Sequence, residues 1–152
     1  MTISSEPLIL GPGEGRSFPV DRPTITVKTD AGTSPVALFE SQPTPGVVTA
    51  PPHLHRDYTE AFYVLAGEIE FRIGDRTVLC ASGAFVHVPP GVVHGFQNPG
   101  PGHAKLLILV YPAAGLGIVE DSLTLTSDTS RPPDPREIRA MFAKYHSELI
   151  QP

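Results

Sequence analysis

Two histidines and a glutamate near the middle of the chain are the residues best suited to do chemistry. His53 and His55 stand one residue apart in the stretch PPHLHRDYTEAFYVLAG, and Glu60 follows five residues after His55. Because residues i and i+2 of a β-strand point to the same face, the two imidazoles can bind one object. Neutral imidazoles and carboxylates are common ligands of divalent transition metals. The spacing therefore predicts a metal site.

A second motif, GAFVHVPPGVVHGFQN at residues 83–98, places another histidine just beyond a proline-glycine turn. Its ordered positions, with the spacing G-x5-P-x-G-x2-H-x3-N, are Gly83, Pro89, Gly91, His94 and Asn98. Together with the first motif, which ends at Gly67, this pattern resembles the two motifs of the cupin superfamily, in particular its small single-domain and quercetinase-like members. One position departs from the pattern, because the leading glycine, Gly46, stands one residue too far upstream.

The resemblance implies an all-β fold, a single-domain antiparallel cupin β-barrel of the jelly-roll type with one divalent transition metal ion inside. The implied metal ligands are His53, His55, Glu60 and His94. Three nitrogen donors and one oxygen donor suit Fe, Ni, Co, Mn, Cu or Zn. Around an octahedral ion, four protein ligands leave two positions open. A closed structural zinc site is usually rich in cysteine, and Cys80 is the only cysteine in the chain.

Apolar side chains are expected around this metal. If the glutamate ligand points inward, strand alternation directs Phe62 and Val64 to the same face, and Phe96 shares the face of the third histidine ligand. His87 lies on the strand that leads to that histidine, and it could contact a substrate or a metal ligand. These four residues are the predicted substrate pocket. The alternative, that they are ordinary core residues, stays open.

The elements that must position these residues are short strands. Eighteen prolines and fourteen glycines divide the chain into short apolar segments, which favours many strands joined by turns. The eight candidate strands are TITVKT, SPVALFES, VVTAPPHLH, EAFYVLAGEIEFRIG, RTVLCA, AFVHVP, VHGFQN and AKLLILVYP. Eight strands are enough to close a small barrel or jelly roll. The predicted organisation is a lead-in at residues 1–23, a cupin barrel at 24–112 and a connector at 113–133 with one short helical turn.

An amphipathic helix is predicted after the connector, over residues 134–150. Asp134, Pro135 and Glu137 have the spacing of an N-cap, a first-turn proline and a capping-box partner. The apolar stripe that follows consists of Ile138, Met141, Phe142, Tyr145 and Leu149. Because such a stripe is most often packing surface, we expect this helix to pack on the barrel or on a dimer partner.

Charge and composition limit the kinds of partner. Eleven Lys and Arg residues against sixteen Asp and Glu residues give a net charge of −5, which argues against nucleic acid as a ligand. No apolar segment approaches the length of a membrane span and no signal-peptide pattern is seen, so we expect no membrane partner and a cytoplasmic location. The expected partners are a small-molecule substrate and a second copy of the chain, because two-fold dimers commonly cover exposed sheet edges.

The favoured function is that of a metal-dependent dioxygenase of an aromatic or enolisable small molecule, similar to the quercetinase-like cupins. Substrate would use one open metal position and dioxygen the other, while Glu60 would act as both ligand and proton acceptor. The first alternative is a non-oxidative metal-dependent cyclase, isomerase, decarboxylase or lyase. The second is a cupin that binds a small molecule without turnover. Arg56 and Arg72 are the nearest cationic residues to the motifs. Because cationic residues are scarce there, the prediction of an activity on sugar phosphates or oxalate is weaker.

Overall fold

Two antiparallel β-sheets make up most of the molecule in a computed structural model that describes residues 3, 5–18, 24–128 and 130–150. The remaining residues, which include parts of the predicted lead-in and residue 129 of the predicted connector, lie outside the described residues. One sheet has six strands and the other has five. The mostly-β class is therefore confirmed, and closure of the two sheets into a barrel stays a prediction.

The strands are numbered in chain order. They are β1 Arg16–Ser17, β2 Thr24–Thr29, β3 Ala37–Gln42, β4 Val48–His55, β5 Thr59–Ala66, β6 Glu68–Ile73, β7 Arg76–Ala81, β8 Phe85–Val88, β9 His94–Gln97, β10 Lys105–Tyr111 and β11 Ser147–Leu149. The six-stranded sheet has the order β1-β2-β3-β10-β5-β8, and the five-stranded sheet has the order β11-β4-β9-β6-β7. The two sheets meet across a shared core, so inward-facing side chains from both can reach one site.

Strand alternation builds the core between the two sheets. On β5, Phe62 and Val64 point inward with 1% and 0% of their surface exposed. The ring of Phe62 contacts the ring of Phe71, on β6 of the other sheet, edge to face at a centroid distance of 5.3 Å. Ile69 and Phe71 are buried whereas Glu68 is exposed, as the alternation in GEIEF predicts. Apolar contacts between the two sheets thus form the core next to the candidate site.

A glycine splits the long segment that the sequence predicts as one strand. β5 ends at Ala66 and β6 begins at Glu68, because Gly67 adopts a φ of +72°, in the left-handed region that favours glycine. A Cβ atom at this position would lie 2.2 Å from the carbonyl oxygen of His103. The chain therefore crosses from the six-stranded sheet to the five-stranded sheet at a residue that must be glycine.

The C-terminal part contains more helix than the sequence predicts. After β10, a 3-10 helix at Ala113–Leu116 continues into helix α1 at Gly117–Thr126, where a connector with one helical turn was expected. Helix α2 spans Pro135–Lys144 and begins with the predicted capping box between Asp134 and Glu137. None of the helices in the described part of the chain is long and apolar enough to cross a membrane. A single chain is described, so the homodimer stays a prediction.

Helix α2 also ends earlier than predicted, at Lys144 and not near residue 150. His146 adopts a φ of +46°, which turns the chain out of the helix, and the next residues form β11. β11 pairs with β4 in an antiparallel ladder that places Ser147 opposite His55 and Leu149 opposite His53. The end of the apolar stripe is therefore a strand, and it lies beside the first motif.

Candidate metal centre

Four buried side chains from three strands converge between the two sheets. β4 carries His53 and His55, β5 carries Glu60 and β9 carries His94. His53 lies directly opposite His94 in the ladder between β4 and β9, while Glu60 comes from the other sheet. Each residue offers one nitrogen or oxygen atom, and these four atoms all lie within 4.8 Å of one another. The fold thus brings together the four side chains that the sequence proposes as metal ligands.

Backbone carbonyl groups determine which nitrogen of two of these imidazoles carries a proton. Nδ1 of His53 donates to the carbonyl oxygen of Pro51 at 2.7 Å, and Nδ1 of His94 donates to that of Val92 at 2.9 Å. A carbonyl oxygen can only accept, so both Nδ1 atoms are protonated. In the neutral ring, Nε2 then holds the lone pair, and it is this atom that faces the cluster.

The third imidazole is oriented by the C-terminal strand. Nδ1 of His55 lies 2.7 Å from Oγ of Ser147, on β11. The Ser147 hydroxyl donates its own proton to the carbonyl oxygen of Tyr145 at 3.0 Å, so it accepts from His55. Tyr58 stacks on the ring of His55 at a centroid distance of 4.1 Å and an interplanar angle of 23°. His55 is therefore held in one tautomer and one plane, with Nε2 directed at the cluster.

The spacing of the donor atoms tests whether a metal ion fits. Nε2 of His53 and Nε2 of His55 are 3.0 Å apart, and because both hold lone pairs in the neutral rings, a cation between them would satisfy both. Two nitrogen ligands at adjacent octahedral positions, each about 2.1 Å from a metal, are about 3 Å apart. Nε2 of His94 lies 2.8 Å from Oε2 of Glu60. A divalent ion fits this donor set.

Electrostatics favour the protonation states that metal binding requires. In the metal-free cluster, burial acts to raise the pKa of Glu60, but hydrogen bonds from Nε2–H groups of His55 and His94 outweigh burial and hold that pKa well below the usual carboxyl range. A bound metal ion would take the place of these Nε2 protons. Burial, reinforced by the charge on His94, lowers the pKa of His53 to about 4. Near neutral pH the cluster therefore presents an ionised carboxylate and a neutral His53.

Three of the four cluster residues, His53, His55 and Glu60, form part of the wall of a cavity of about 450 Å³. Most of the lining is apolar and comes from both sheets and from the two α-helices, with Phe39, Ile108, Leu123 and Phe142 among the residues involved. The ring of Phe142, on α2, packs edge to face on His53 at a centroid distance of 5.8 Å. Among the described residues that line this cavity, no Lys or Arg occurs. The space beside the donor atoms is thus suited to an apolar molecule.

The predicted substrate-pocket residues occupy different places. Phe62 and Phe96 line the cavity. Val64 is fully buried in the core, but it lies outside the cavity lining. His87 points the other way: its side chain is exposed, and its Nε2 is 2.8 Å from the hydroxyl of Thr59. Alternation along β8, where Val88 faces inward, sends His87 outward, so the structure does not bring it to the cluster.

The sequence did not reveal every residue of the site, and three of those that it left out show why. Phe142 belongs to the predicted apolar stripe, but its contact with His53 depends on where α2 packs. No local pattern in the sequence indicates a role for Ser147, because it lies 92 residues from its partner His55. Ser41 on β3 carried a weak signal, because it is the polar member of the inward-facing set of β3.

Comparison with known families agrees with this geometry. Residues 40–111, which contain all four cluster residues, match the family model of the cupin domain. No curated protein matches the sequence. The matched region thus includes the strands β4, β5 and β9 that carry the cluster, whereas α1, α2 and β11 lie after it.

Solved structures with a similar fold support the same conclusion. A proposed sugar phosphate isomerase from Acidithiobacillus ferrooxidans is 25% identical with a TM-score of 0.52, over 58% of this chain and 59% of that protein. A protein with a double-stranded β-helix domain from Klebsiella pneumoniae is 24% identical with a TM-score of 0.58, over 71% and 92%. FeII HppE is 22% identical with a TM-score of 0.59, over 72% and 63%. The chain thus spans about three fifths of the first and third of these, and the last two show the fold alone.

Proposed function

We propose that this protein is a metal-dependent dioxygenase of an aromatic or enolisable small molecule, related in activity to quercetinase-like cupins. One observation carries the proposal: in a cluster of three imidazoles and one carboxylate, each imidazole has its Nδ1 engaged, and His53, His55 and Glu60 line a cavity that is mainly apolar and has no Lys or Arg among its described lining residues. The donor set suits an open metal centre, and the lining suits an aromatic or enolic substrate.

The proposed metal ligands are His53, His55, Glu60 and His94. A divalent transition metal bound there would supply Lewis acidity and, for a redox-active ion, the ability to activate dioxygen. The hydrogen bonds at the three Nδ1 atoms keep the imidazoles in the tautomer that binds a metal and hold their rings in place.

Glu60 has the second proposed role, that of proton acceptor. An enol or phenol releases a proton when its oxygen binds a cation, and an ionised carboxylate beside that oxygen can accept this proton. A cation bound at the cluster would keep Glu60 ionised despite its burial, as hydrogen bonds from His55 and His94 do in the metal-free cluster. The apolar walls exclude water from the bound substrate and hold it against the cluster.

The direct test is oxygen consumption by protein of defined metal content. We would remove metal with a chelator, reload with Fe(II), Mn(II), Co(II), Ni(II), Cu(II) or Zn(II), and follow dissolved oxygen with 3-hydroxyflavone, catechol or acetylacetone present. The proposal expects oxygen uptake with at least one redox-active metal and one substrate, and none with zinc, which has no redox chemistry. The metal-deficient variant His94→Ala should be inactive. Stoichiometric metal binding with no oxygen uptake under any of these conditions would contradict the proposal.

A non-oxidative cyclase, isomerase, decarboxylase or lyase is the second candidate function. Its support is the resemblance to a proposed sugar phosphate isomerase, together with a donor set that suits zinc as well as redox metals. The lining of the cavity disfavours a phosphorylated substrate, because no Lys or Arg is among its described lining residues. Substrate conversion by the zinc-loaded protein under nitrogen would favour this candidate. Tight binding without conversion in either atmosphere would identify a small-molecule-binding cupin.

A further inference from the structure

One hydroxyl at the cavity lacks a hydrogen-bond partner. Ser41 lines the cavity and is 1% exposed, and its Oγ has no partner among the described residues. Its neighbours in the sheet are Ile25 on β2 and Leu106 on β10, which are buried and apolar. The other unpaired buried hydroxyl among the described residues, that of Tyr58, is not part of the cavity lining. Since an unpaired buried hydroxyl is energetically unfavourable, a ligand atom that pairs with Ser41 recovers that energy.

Strand register shows how far this hydroxyl is from the metal cluster. Ser41 lies opposite Leu106 of β10, whereas Glu60 lies opposite Val110 of the same strand. Four residues of β-strand correspond to roughly 13 Å. Both side chains are buried and both residues line the cavity. Ser41 and the cluster therefore stand near opposite ends of the same space.

Apolar surface fills the distance between these two polar ends. On β10, Ile108 lies midway between the two register positions, with Phe39 of β3 on one side and Phe62 of β5 on the other. All three line the cavity and none has more than 3% of its surface exposed. A charged group in this stretch would lose its hydration without gaining a counter-ion, because the described lining holds no Lys or Arg and its one carboxylate, that of Glu60, belongs to the cluster.

We infer that the cavity binds an uncharged, elongated and mainly apolar molecule with polar groups at both ends. At one end it carries adjacent oxygens, such as those of an enol and a ketone, for the metal cluster. At the other end it carries a hydroxyl or carbonyl that hydrogen-bonds to Ser41. This substrate class rests on the proposed function for its metal-binding end, whereas the role of Ser41 rests on the unpaired hydroxyl and the register.

A series of matched ligands tests this inference by binding alone. The probes are 3-hydroxyflavone and its 4′-hydroxy and 4′-carboxy derivatives, titrated into zinc-loaded protein and followed by calorimetry. We expect the 4′-hydroxy compound to bind about fivefold to tenfold more tightly than the parent, which corresponds to one net neutral hydrogen bond. The 4′-carboxylate should bind at least tenfold more weakly than the 4′-hydroxy compound, because it buries a charge without a partner.

Variants assign the preference to Ser41. In Ser41→Ala the ratio between the 4′-hydroxy compound and the parent should fall to about one, while the parent binds as before. Ser41→Cys, which keeps the size but weakens the hydrogen bond, should reduce the ratio as well. The matched control is Thr126→Ala, which removes a cavity-lining hydroxyl already bonded to the carbonyl oxygen of Ser122 at 2.9 Å and should leave the ratio unchanged. Thermal unfolding confirms that each variant is folded.

The outcomes separate this inference from the proposed function. A ratio that persists in both Ser41 variants, equal binding of the carboxylate, or no binding of any probe would overturn the inference. Ser41-dependent binding without oxygen uptake by any loaded form would uphold it and contradict the dioxygenase proposal. Oxygen uptake, with a binding ratio that is the same in wild type and in the Ser41 variants, would support the dioxygenase proposal and overturn this inference.

Discussion

Nδ1 of His55 donates to Oγ of Ser147 across 2.7 Å, although 92 residues separate the two in sequence. The contact is part of a longer attachment, because β11 pairs with β4 along the stretch that carries both His53 and His55. The cluster lies inside the region that matches the cupin domain, but one hydrogen bond that orients it comes from beyond that region. A segment outside the matched family region therefore helps to shape the candidate metal site.

Replacing Ser147 with alanine should weaken metal binding. Loss of a hydrogen bond that orients a metal-bound imidazole typically lowers metal affinity about 10- to 100-fold. We expect a loss of that size in Ser147→Ala, measured by competition with a chromophoric zinc chelator, and a changed visible spectrum of the cobalt-loaded protein. Ser147→Thr, which keeps the hydroxyl, should recover most of the affinity. The control is Ser82→Ala, because Ser82 bonds to the backbone of Leu65 and is exposed. Equal affinity of Ser147→Ala and wild type would show that the contact does not orient His55.

Metal content should depend on the clustered histidines and not on His87. We expect about one equivalent of a transition metal in the wild-type protein, purified without chelator or metal-binding tag. His53→Ala and His94→Ala should each lose most of it, because a buried ligand is removed from a four-residue set. His87→Ala should keep its metal, because that side chain is exposed and bonds to Thr59. Inductively coupled plasma mass spectrometry gives the answer, and metal loss in His87→Ala would mean that the assigned ligand set is wrong.

Glu60 should affect both metal retention and turnover. Glu60→Gln keeps the shape of the side chain but removes the charge and the ability to accept a proton at that oxygen. We expect weaker metal binding and, when metal is restored at saturating concentration, a rate at least 100-fold lower, as is typical for loss of a general base. Rates must be compared at equal metal occupancy. Full activity of Glu60→Ala at full occupancy would eliminate the proton-accepting role and leave Glu60 as a ligand only.

The metal-free protein should lose stability as the pH falls below neutral. His53 has a pKa of about 4 in the folded protein, lowered mainly by burial, against 6.5 as its ordinary value. Between these two values the unfolded chain binds more protons than the folded one, so the free energy of unfolding decreases as the pH decreases. From pH 7 to pH 5 this effect amounts to about 2 kcal/mol. The depressed pKa of Glu60 acts in the same direction at lower pH.

Urea unfolding of the metal-free protein at pH 7, 6 and 5 measures this effect. His53→Gln removes the titrating group, so its stability should vary less over the same range. The difference between the two proteins should appear below about pH 6.5 and grow toward pH 4. Parallel curves for wild type and His53→Gln would show that His53 does not stay neutral in the folded state.

The capping box of α2 should contribute measurably to stability. The side chain of Asp134 accepts a hydrogen bond from the backbone nitrogen of Arg136 at 2.8 Å, and the side chain of Glu137 accepts one from the backbone nitrogen of Asp134 at 3.0 Å. Asp134→Ala should lower the free energy of unfolding by about 1 kcal/mol, whereas Asp134→Ser, which keeps an N-cap acceptor, should cost less. Chemical denaturation measures both variants, and faster amide exchange confined to α2 would localise the effect. An unchanged stability in Asp134→Ala would show that packing alone holds the helix.

Local patterns in the sequence were sufficient to predict most of the strands and to place His53 and His55 together. The period of two in a strand assigned Ile69 and Phe71 to the core and Glu68 to the surface. The same period placed His53 and His55 on one face. The spacing of the second motif added His94 through a resemblance that the family match to residues 40–111 confirms at the level of the cupin domain. These features depend on neighbours within a few residues, so a single sequence reveals them.

Other features required the packed chain. The direction of His87 was left open by the sequence, and it was decided by the alternation of β8, which turns Val88 inward. The length of α2 was overestimated, because the apolar stripe is compatible with a helix throughout. In the folded chain the last residues of the stripe pair as a strand with the edge of β4, which the stripe alone does not reveal.

By itself, the sequence determined which side chains could bind a metal and on which kind of element they lie, because ligand chemistry and strand alternation are local properties. Only the tertiary structure decided that Ser147 orients His55 and that Ser41 lies at the cavity without a partner. It also decided that α1 and α2 help to line that cavity. Each of these relationships joins segments far apart in the chain, and only the packing of the whole fold brings them into contact.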